Sequence, residues 1–122
     1  MIPEKLIEAV KRRRREYGAE LPQKIQRRKE SALKEAFRLV AEFRKEDPEL
    51  KKVVLFGSLA KDNVRDINFD IDLAFQGKEY YRCVAIVLDS YFKVDLVDYD
   101  SSADFIREEI DTGGKVLYDS DS

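Results

Sequence analysis

The stretch that decides the fold is residues 53–75, VVLFGSLAKDNVRDINFDIDLAF. It opens on a short continuous apolar run that ends at Gly57, a pattern typical of a buried strand. Gly57-Ser58 leads into Leu59-Ala60-Lys61, which predicts the first turn of a helix. Glycine lets a ligand approach the backbone closely, and N–H groups at a helix N-terminus attract phosphate. We therefore predict phosphate binding at Gly57 and Ser58, with Lys61 and Arg65 of the following loop neutralising phosphate oxygens.

The same stretch ends with a pair of carboxylates. Asp70 and Asp72 lie two residues apart at the start of a second predicted strand, Ile71 to Phe75. On a strand such residues face the same side, roughly 6–7 Å apart. Carboxylate oxygens are the ligands that Mg²⁺ prefers, so the pair predicts a site for one or two such ions. Without a cation, the two anions would repel each other or one would take up a proton.

A third carboxylate follows on a third predicted strand, Val94 to Asp98. Asp95 lies between Val94 and Leu96, and we expect it to be buried. Beside the second strand it would serve as a metal ligand, or as the base that deprotonates an incoming hydroxyl. Each motif alone is more often a plain turn or a solvated strand edge. Together they predict phosphoryl or nucleotidyl transfer, with Asp70, Asp72 and Asp95 as catalytic and metal-binding residues.

The rest of the chain predicts helices around a small mixed sheet, an α/β (α+β) fold. Two N-terminal helices are expected, the first from Pro3 to a stop at Gly18, the second from Pro22 to Asp47-Pro48. The second has apolar residues at helical spacing: Leu33, Ala36, Phe37, Val40 and Phe43. Two more helices are predicted in the second half of the chain. The first runs from Tyr80 to Tyr91, with the apolar face Val84, Val87, Leu88 and Tyr91, and the second runs from a serine cap at 101 or 102 to Ile110.

The last predicted strand is Val116 to Tyr118. We expect a helical region at residues 1–48 and a core at 49–122, within one compact domain.

The amino-acid composition excludes several kinds of catalytic chemistry. The chain has 122 residues and no histidine, which excludes Ser-His-Asp and Cys-His catalysis and histidine-bound zinc. The single cysteine, Cys83, rules out an internal disulfide and is expected to be a packed thiol in a reducing, cytoplasmic setting. No apolar run approaches the ~20 residues of a membrane span, so no membrane association is expected.

Charge is distributed unevenly. Residues 1–30 carry ten Lys or Arg against five Glu, whereas residues 31–122 carry thirteen against twenty acidic residues. The simplest interpretation is a solvated helix face. The alternative is a docking surface for a polyanion or an acidic partner. Two long helices with apolar faces also leave a homo-oligomer open.

Three segments carry a resemblance to a known family. Val54-Leu55-Phe56-Gly57-Ser58-Leu59-Ala60-Lys61, Asp70-Ile71-Asp72-Leu73 and Val94-Asp95-Leu96-Val97 resemble the DNA polymerase β-like nucleotidyltransferase superfamily. The size and the ending from Ile106 to Tyr118 look most like its minimal nucleotidyltransferases, the MNT antitoxins of HEPN–MNT pairs. The resemblance covers about residues 50–118.

The resemblance implies a Mg²⁺-dependent nucleotidyltransferase that uses ATP as substrate. In the family's best-known arrangement, AMP is transferred to a tyrosine of a HEPN ribonuclease, which is thereby silenced. By motif position, Gly57 and Ser58 would bind phosphate, Asp70 and Asp72 would bind metal, and Asp95 would be the third carboxylate. A HEPN-type partner protein is therefore expected.

The sequence departs from the family's pattern in the loop between Ser58 and Asp70. The loop has eleven residues where ten are usual, Asp62 stands where a glycine is common, and Phe69 replaces a small hydroxyl residue. Two alternatives therefore stay open: a weak or inactive nucleotide-binding module that acts sterically, and nucleotidyl transfer to a small molecule. A nucleic-acid acceptor is disfavoured, because the basic helices lack a cluster of aromatic residues on which bases would stack.

Overall fold

The chain forms a four-stranded sheet between two layers of helices. A computed structural model describes the backbone of residues 3–122 and the side chains of residues 3–8 and 21–122. The helices are α1 (Glu4–Glu46), α2 (Gly57–Ala60), α3 (Tyr80–Leu88) and α4 (Asp104–Gly113), and Tyr99–Ser101 forms a 3-10 turn. The strands are β1 (Lys52–Phe56), β2 (Ile71–Gln76), β3 (Val94–Asp98) and β4 (Lys115–Asp119).

The sheet is mixed, with the strand order β3-β2-β1-β4. β1 pairs antiparallel with β2 and β4, whereas β2 and β3 are parallel and joined through α3. A parallel pair needs such a crossover, because the chain must return to the end from which it started. The predicted fold class, a small mixed sheet with helices packed against it, is confirmed.

The two faces of the sheet bury different sets of side chains. On one face α1 and α3 cover alternate strand residues, among them Leu55, Leu73 and Phe75. On the other face α4 places Ile110 against Val54, Phe56 and Ala74. This second cluster is smaller, and it leaves a cavity on this face of the sheet beside Ile110 of α4.

The prediction of two N-terminal helices is wrong, because α1 is one continuous helix of 43 residues. Gly18 and Pro22 were expected to separate two helices, but Pro22 lies inside the helix. Proline removes the hydrogen bond that its N–H would donate to the carbonyl four residues earlier, here that of Gly18. Pro22 therefore costs the helix one hydrogen bond, and the turns on either side continue the helix.

The buried face of α1 also differs from the one predicted. In α1, Ala36, Val40 and Phe43 are buried as expected, but Leu33 and Phe37 are 37% and 55% exposed. Ala32 and Leu39 are buried in their place. Apolar residues occur on more than one side of this helix, so spacing alone does not select the side that meets the sheet.

The end of α3 and the start of α4 also differ from those predicted. α3 stops at Leu88 rather than Tyr91, and both residues, predicted on its apolar face, are exposed, at 78% and 100%. No serine caps α4: Ala103 precedes it, and the Ser102 hydroxyl donates instead to the Asp98 carbonyl at 2.7 Å. Cys83 is fully buried as predicted, and burial raises the pKa of its thiol to about 12.

None of the helices in the described part of the chain combines the length and the hydrophobicity that a membrane span requires.

Candidate active site

The turn between β1 and α2 brings Gly57 against a carboxylate. Gly57 has φ of +76°, a conformation that glycine adopts at little cost. A Cβ atom built on Gly57 would overlap the Asp72 carboxylate. Phe56 and Asp72 are paired in the β1–β2 ladder, which explains this closeness. The sequence motif thus has a local structural cause: the turn needs a residue without a side chain because Asp72 occupies the space.

The sheet register aligns two of the three predicted carboxylates. Asp72 of β2 and Asp95 of β3 are directly paired in the parallel ladder. Both lie on the face that carries Ala74 and Val97, which is the face covered in part by α4. Asp70 comes just before β2, and its carboxylate lies 3.7 Å from the Lys93 ammonium.

The electrostatics of Asp72 show that these carboxylates act on one another. Burial raises the pKa of Asp72 to about 6, and the negative charges of Asp95, Asp70 and Glu109 add to the effect. The Lys93 ammonium opposes it. A carboxylate in such a negative field gains from either a proton or a cation. The donor set, two carboxylates on one sheet face and a third just before β2, has the oxygen ligands that a hard divalent ion such as Mg²⁺ prefers.

The carboxylates nevertheless do not converge as they stand. Among the side chains that the structure describes, no three Asp, Glu or Cys residues are arranged to hold a metal ion. Asp95 is exposed, so its predicted burial is wrong. β3 lies at the edge of the sheet. Val94 and Leu96, which flank Asp95 in the sequence, predict a strand but do not indicate that the strand is an edge strand. Metal binding at Asp70, Asp72 and Asp95 stays a prediction.

A cavity of about 340 Å³ extends from Ser58 to the carboxylates of Asp70 and Asp72, and Asp95 does not line it. Four of the seven predicted site residues line it: Ser58, Arg65, Asp70 and Asp72. The loop that closes it is held by a hydrogen bond from the Asn63 N–H to the Ser58 carbonyl at 2.9 Å. Residues from the start of α2, from the loop between α2 and β2 and from β2 thus line the same cavity.

Lys61 was predicted to neutralise phosphate oxygens, but in the structure it pairs with a carboxylate. Its ammonium lies 3.6 Å from the Glu109 carboxylate of α4, and it does not line the cavity. Glu109 was missed by the sequence reasoning, although it faces Lys61 and contributes to the raised pKa of Asp72. No motif surrounds Glu109 in the sequence. Only the packing of α4 beside α2 brings it to the site.

The fold and this arrangement define a class of protein. A glycine-serine turn after the first strand, two carboxylates at the start of the second and one on the third belong to nucleotidyltransferases of the polymerase β type. The sequence model of the family described as "Polymerase beta, Nucleotidyltransferase" matches residues 38–122. Because this match covers well over half of the chain, the protein belongs to the polymerase β nucleotidyltransferase family.

Solved structures with this fold include antitoxins of toxin–antitoxin pairs. A toxin–antitoxin structure with AMP-PNP is similar at 26% identity, over 69% of this chain and 73% of that chain, with a TM-score of 0.54. The complex of tri-AMPylated Shewanella oneidensis HEPN toxin with MNT antitoxin is similar at 25% identity, over 76% of this chain and 74% of that chain, with a TM-score of 0.50.

A third structure, a Sulfolobus solfataricus protein classed with the nucleotidyltransferases, has a TM-score of 0.60 over 81% of this chain and 90% of that chain. Its identity is 18%, so it supports the fold alone. No curated protein matches the chain.

Proposed function

We propose that this protein transfers AMP from ATP, with Mg²⁺, to a hydroxyl of a partner protein, as the antitoxin of a HEPN–MNT pair. The observation that carries the proposal is the register match of Asp72 with Asp95, beside Asp70 and the cavity that Ser58 lines. The toxin–antitoxin structure with AMP-PNP and the AMPylated HEPN complex support the nucleotide and the kind of partner.

In the proposed reaction the acceptor oxygen forms a bond to the α-phosphorus of ATP. The bond from that phosphorus to the bridging oxygen breaks, and pyrophosphate leaves with the electron pair. Asp95 takes up the proton of the hydroxyl, since it is exposed and accessible from solvent. Bound Mg²⁺ would offset the negative charge of the phosphates and orient them.

The chain's other residues bind and position the triphosphate. Ser58 offers a hydroxyl and a backbone N–H at the start of α2, next to Gly57. Arg65 lines the same cavity and supplies positive charge for the departing pyrophosphate. Lys61 would have to leave Glu109 to reach a phosphate, and the 3.6 Å ion pair is exposed enough to be weak.

The test is labelling of the partner. The purified protein is incubated with Mg²⁺ and α-labelled ATP, alone and with the protein encoded by its genomic neighbour. Asp70→Asn/Asp72→Asn is the test variant. Asp89→Asn/Asp104→Asn is the matched control, because it removes two exposed carboxylates elsewhere on the surface. Label on the partner that is lost only in the test variant supports the proposal.

A second candidate function is that of a weak or inactive nucleotide-binding module that silences the partner sterically. Two observations favour it: the carboxylates do not converge as they stand, and Lys61 is held by Glu109. Metal-dependent ATP binding by calorimetry without any label would support this alternative. If the protein neither labels the partner nor binds ATP, both proposals are wrong.

A further inference from the structure

A second cavity lies beside the candidate active site, between α1 and the loop of residues 61–70. It measures about 410 Å³. Six residues line it: Lys24, Arg27, Arg28, Ser31, Ile67 and Asn68. Among these described side chains three are cations and none is acidic. Lys24, Arg27 and Arg28 are spaced three and four residues apart, which places them on one face of α1. We call this cavity the cationic groove.

The cationic groove adjoins the candidate active site. Asn68 lines both the groove and the cavity that holds Ser58, Asp70 and Asp72. A chain that lies in the groove would therefore pass directly beside the carboxylates. The groove is lined by cations whereas the neighbouring cavity is lined by carboxylates, so the two cavities are suited to different parts of one complex.

Contacts on both sides hold the groove in place. Lys29 of α1 forms an ion pair with Asp62 of the loop. The guanidinium of Arg28 lies 4.1 Å from the centroid of the Phe92 ring, a cation–π contact. The Asp66 carboxylate accepts a hydrogen bond from the Asn68 N–H at 3.1 Å. The ion pair joins the loop to α1, while the other two contacts hold the Arg28 side chain and a turn within the loop. Because these contacts form without a ligand, binding would cost less ordering of the protein.

The lining favours a peptide over a nucleic acid. No aromatic side chain lines the groove among the residues described, and a face of the Phe92 ring is covered by Arg28. Proteins that bind single strands stack bases on open aromatic rings. Ile67 is 41% exposed in the groove, which offers an apolar contact for a side chain.

We propose that the cationic groove binds an acidic segment of the acceptor protein and so presents a neighbouring hydroxyl to the candidate active site. This inference rests on the proposed function and specifies the chemistry of the partner. It assigns a role to the basic part of α1, which lies outside residues 38–122 matched by the family.

The test measures binding without nucleotide, so that it does not depend on transfer. The probe is a short fluorescent peptide in which Asp and Glu flank a Tyr-Leu pair. Its counterpart has Asn and Gln at the same positions, and a single-stranded RNA is the third probe. Fluorescence anisotropy is recorded at ~50 mM ionic strength, where surface charges are screened weakly. We expect the acidic peptide to bind more tightly than both others.

The variant is Lys24→Glu/Arg27→Glu, both exposed positions on α1. The matched control, Lys45→Glu/Lys51→Glu, makes the same charge change at exposed positions near the far end of α1. We expect about a tenfold loss of peptide affinity in the variant and little change in the control. Lys24→Gln/Arg27→Gln provides the same test with a smaller perturbation if the reversal impairs folding, which circular dichroism would reveal.

Equal losses in the variant and the control would overturn the inference, because they would show an effect of net charge alone. Tighter binding of the RNA, or no binding of the acidic peptide, would overturn it as well. Labelling of the partner that is undiminished in the groove variant would leave the proposed function standing and this inference refuted. Peptide binding that is lost only in the groove variant, with no labelling by the wild type, would refute the proposed function instead.

Discussion

Gly57 links backbone conformation to the carboxylate site. Its φ of +76° costs a non-glycine residue about 1–2 kcal/mol, and a Cβ atom would also displace the Asp72 carboxylate. We predict that Gly57→Ala lowers the free energy of unfolding by about 2 kcal/mol and weakens metal-dependent ATP binding. Urea unfolding and calorimetry measure the two effects.

Gly113→Ala is the control for this substitution. Gly113 lies in the last turn of α4, and a Cβ atom there would meet only the flexible end of Lys61, at 3.0 Å. We expect its stability to change by less than about 1 kcal/mol, since alanine favours a helix. Equal destabilisation by both substitutions would contradict a special role of Gly57.

Asp72 makes the stability of the metal-free protein depend on pH. Its pKa is raised from 3.8 to about 6 in the folded chain, so the folded state binds the proton more tightly than the unfolded state. The stabilisation from that proton is complete below about pH 4 and is lost as the pH rises through about 6.

Asp72→Asn removes this penalty. We predict that the variant is more stable than the wild type by about 1–2 kcal/mol at a pH near 7.5 in EDTA, and that the difference shrinks towards pH 4. Urea unfolding at both pH values measures it. Asp89→Asn, at an exposed carboxylate beyond α3, should show no such trend. A variant that is less stable than the wild type at the higher pH would show that Asp72 is not in a repulsive field.

At the scale of elements, Asp47 joins the end of α1 to the start of α3. Asp47 is only 1% exposed. Its carboxylate accepts hydrogen bonds from the N–H groups of Glu49, Lys78 and Glu79, at 3.0, 2.8 and 3.0 Å. In the sequence, Asp47-Pro48 predicts only a helix stop, because two of the three donors lie 31 and 32 residues away along the chain.

We predict that Asp47→Ala lowers the free energy of unfolding by about 2–4 kcal/mol, since it removes a buried carboxylate and three part-buried hydrogen bonds to it. Asp89→Ala, which removes an exposed carboxylate at the end of α3, should cost less than about 0.5 kcal/mol. Chemical denaturation of both variants measures the difference. A small effect of Asp47→Ala would mean that water replaces the carboxylate.

The strands were easier to predict than the helices. Each predicted strand lies within one residue of the observed bounds, because a short apolar run or an apolar–acidic alternation has a sharp end in the sequence. Which face of a helix is buried depends on where the sheet lies, and the spacing of apolar residues along the helix does not indicate that position. The division of the chain at residues 48 and 49 stays a prediction, although Ala32 to Phe43 of α1 contribute five residues to the main core cluster.

At the scale of the whole molecule, ligand binding should stabilise the fold. A ligand that binds only the folded state adds about 2.7 kcal/mol at ~100 times its Kd. We predict that Mg²⁺ with AMP-PNP raises the midpoint of thermal unfolding by several degrees. Asp70→Asn/Asp72→Asn should lose the shift, and Asp89→Asn/Asp104→Asn should keep it. A shift of the same size without Mg²⁺ would refute metal-dependent binding.

The sequence by itself determined the order of the elements and most of the candidate site. Gly57-Ser58 and the Asp70-Ile71-Asp72 segment are local patterns, in which neighbouring residues impose the turn and the shared face. Four of the seven predicted residues consequently line one cavity.

The tertiary structure alone decided what depends on distant parts of the chain. It left Asp95 exposed on an edge strand and placed Glu109 against Lys61. It also brought Arg27 and Asn68 to one groove beside the site. These features arise from packing between elements far apart in sequence, and a pattern of neighbouring residues carries no record of such contacts.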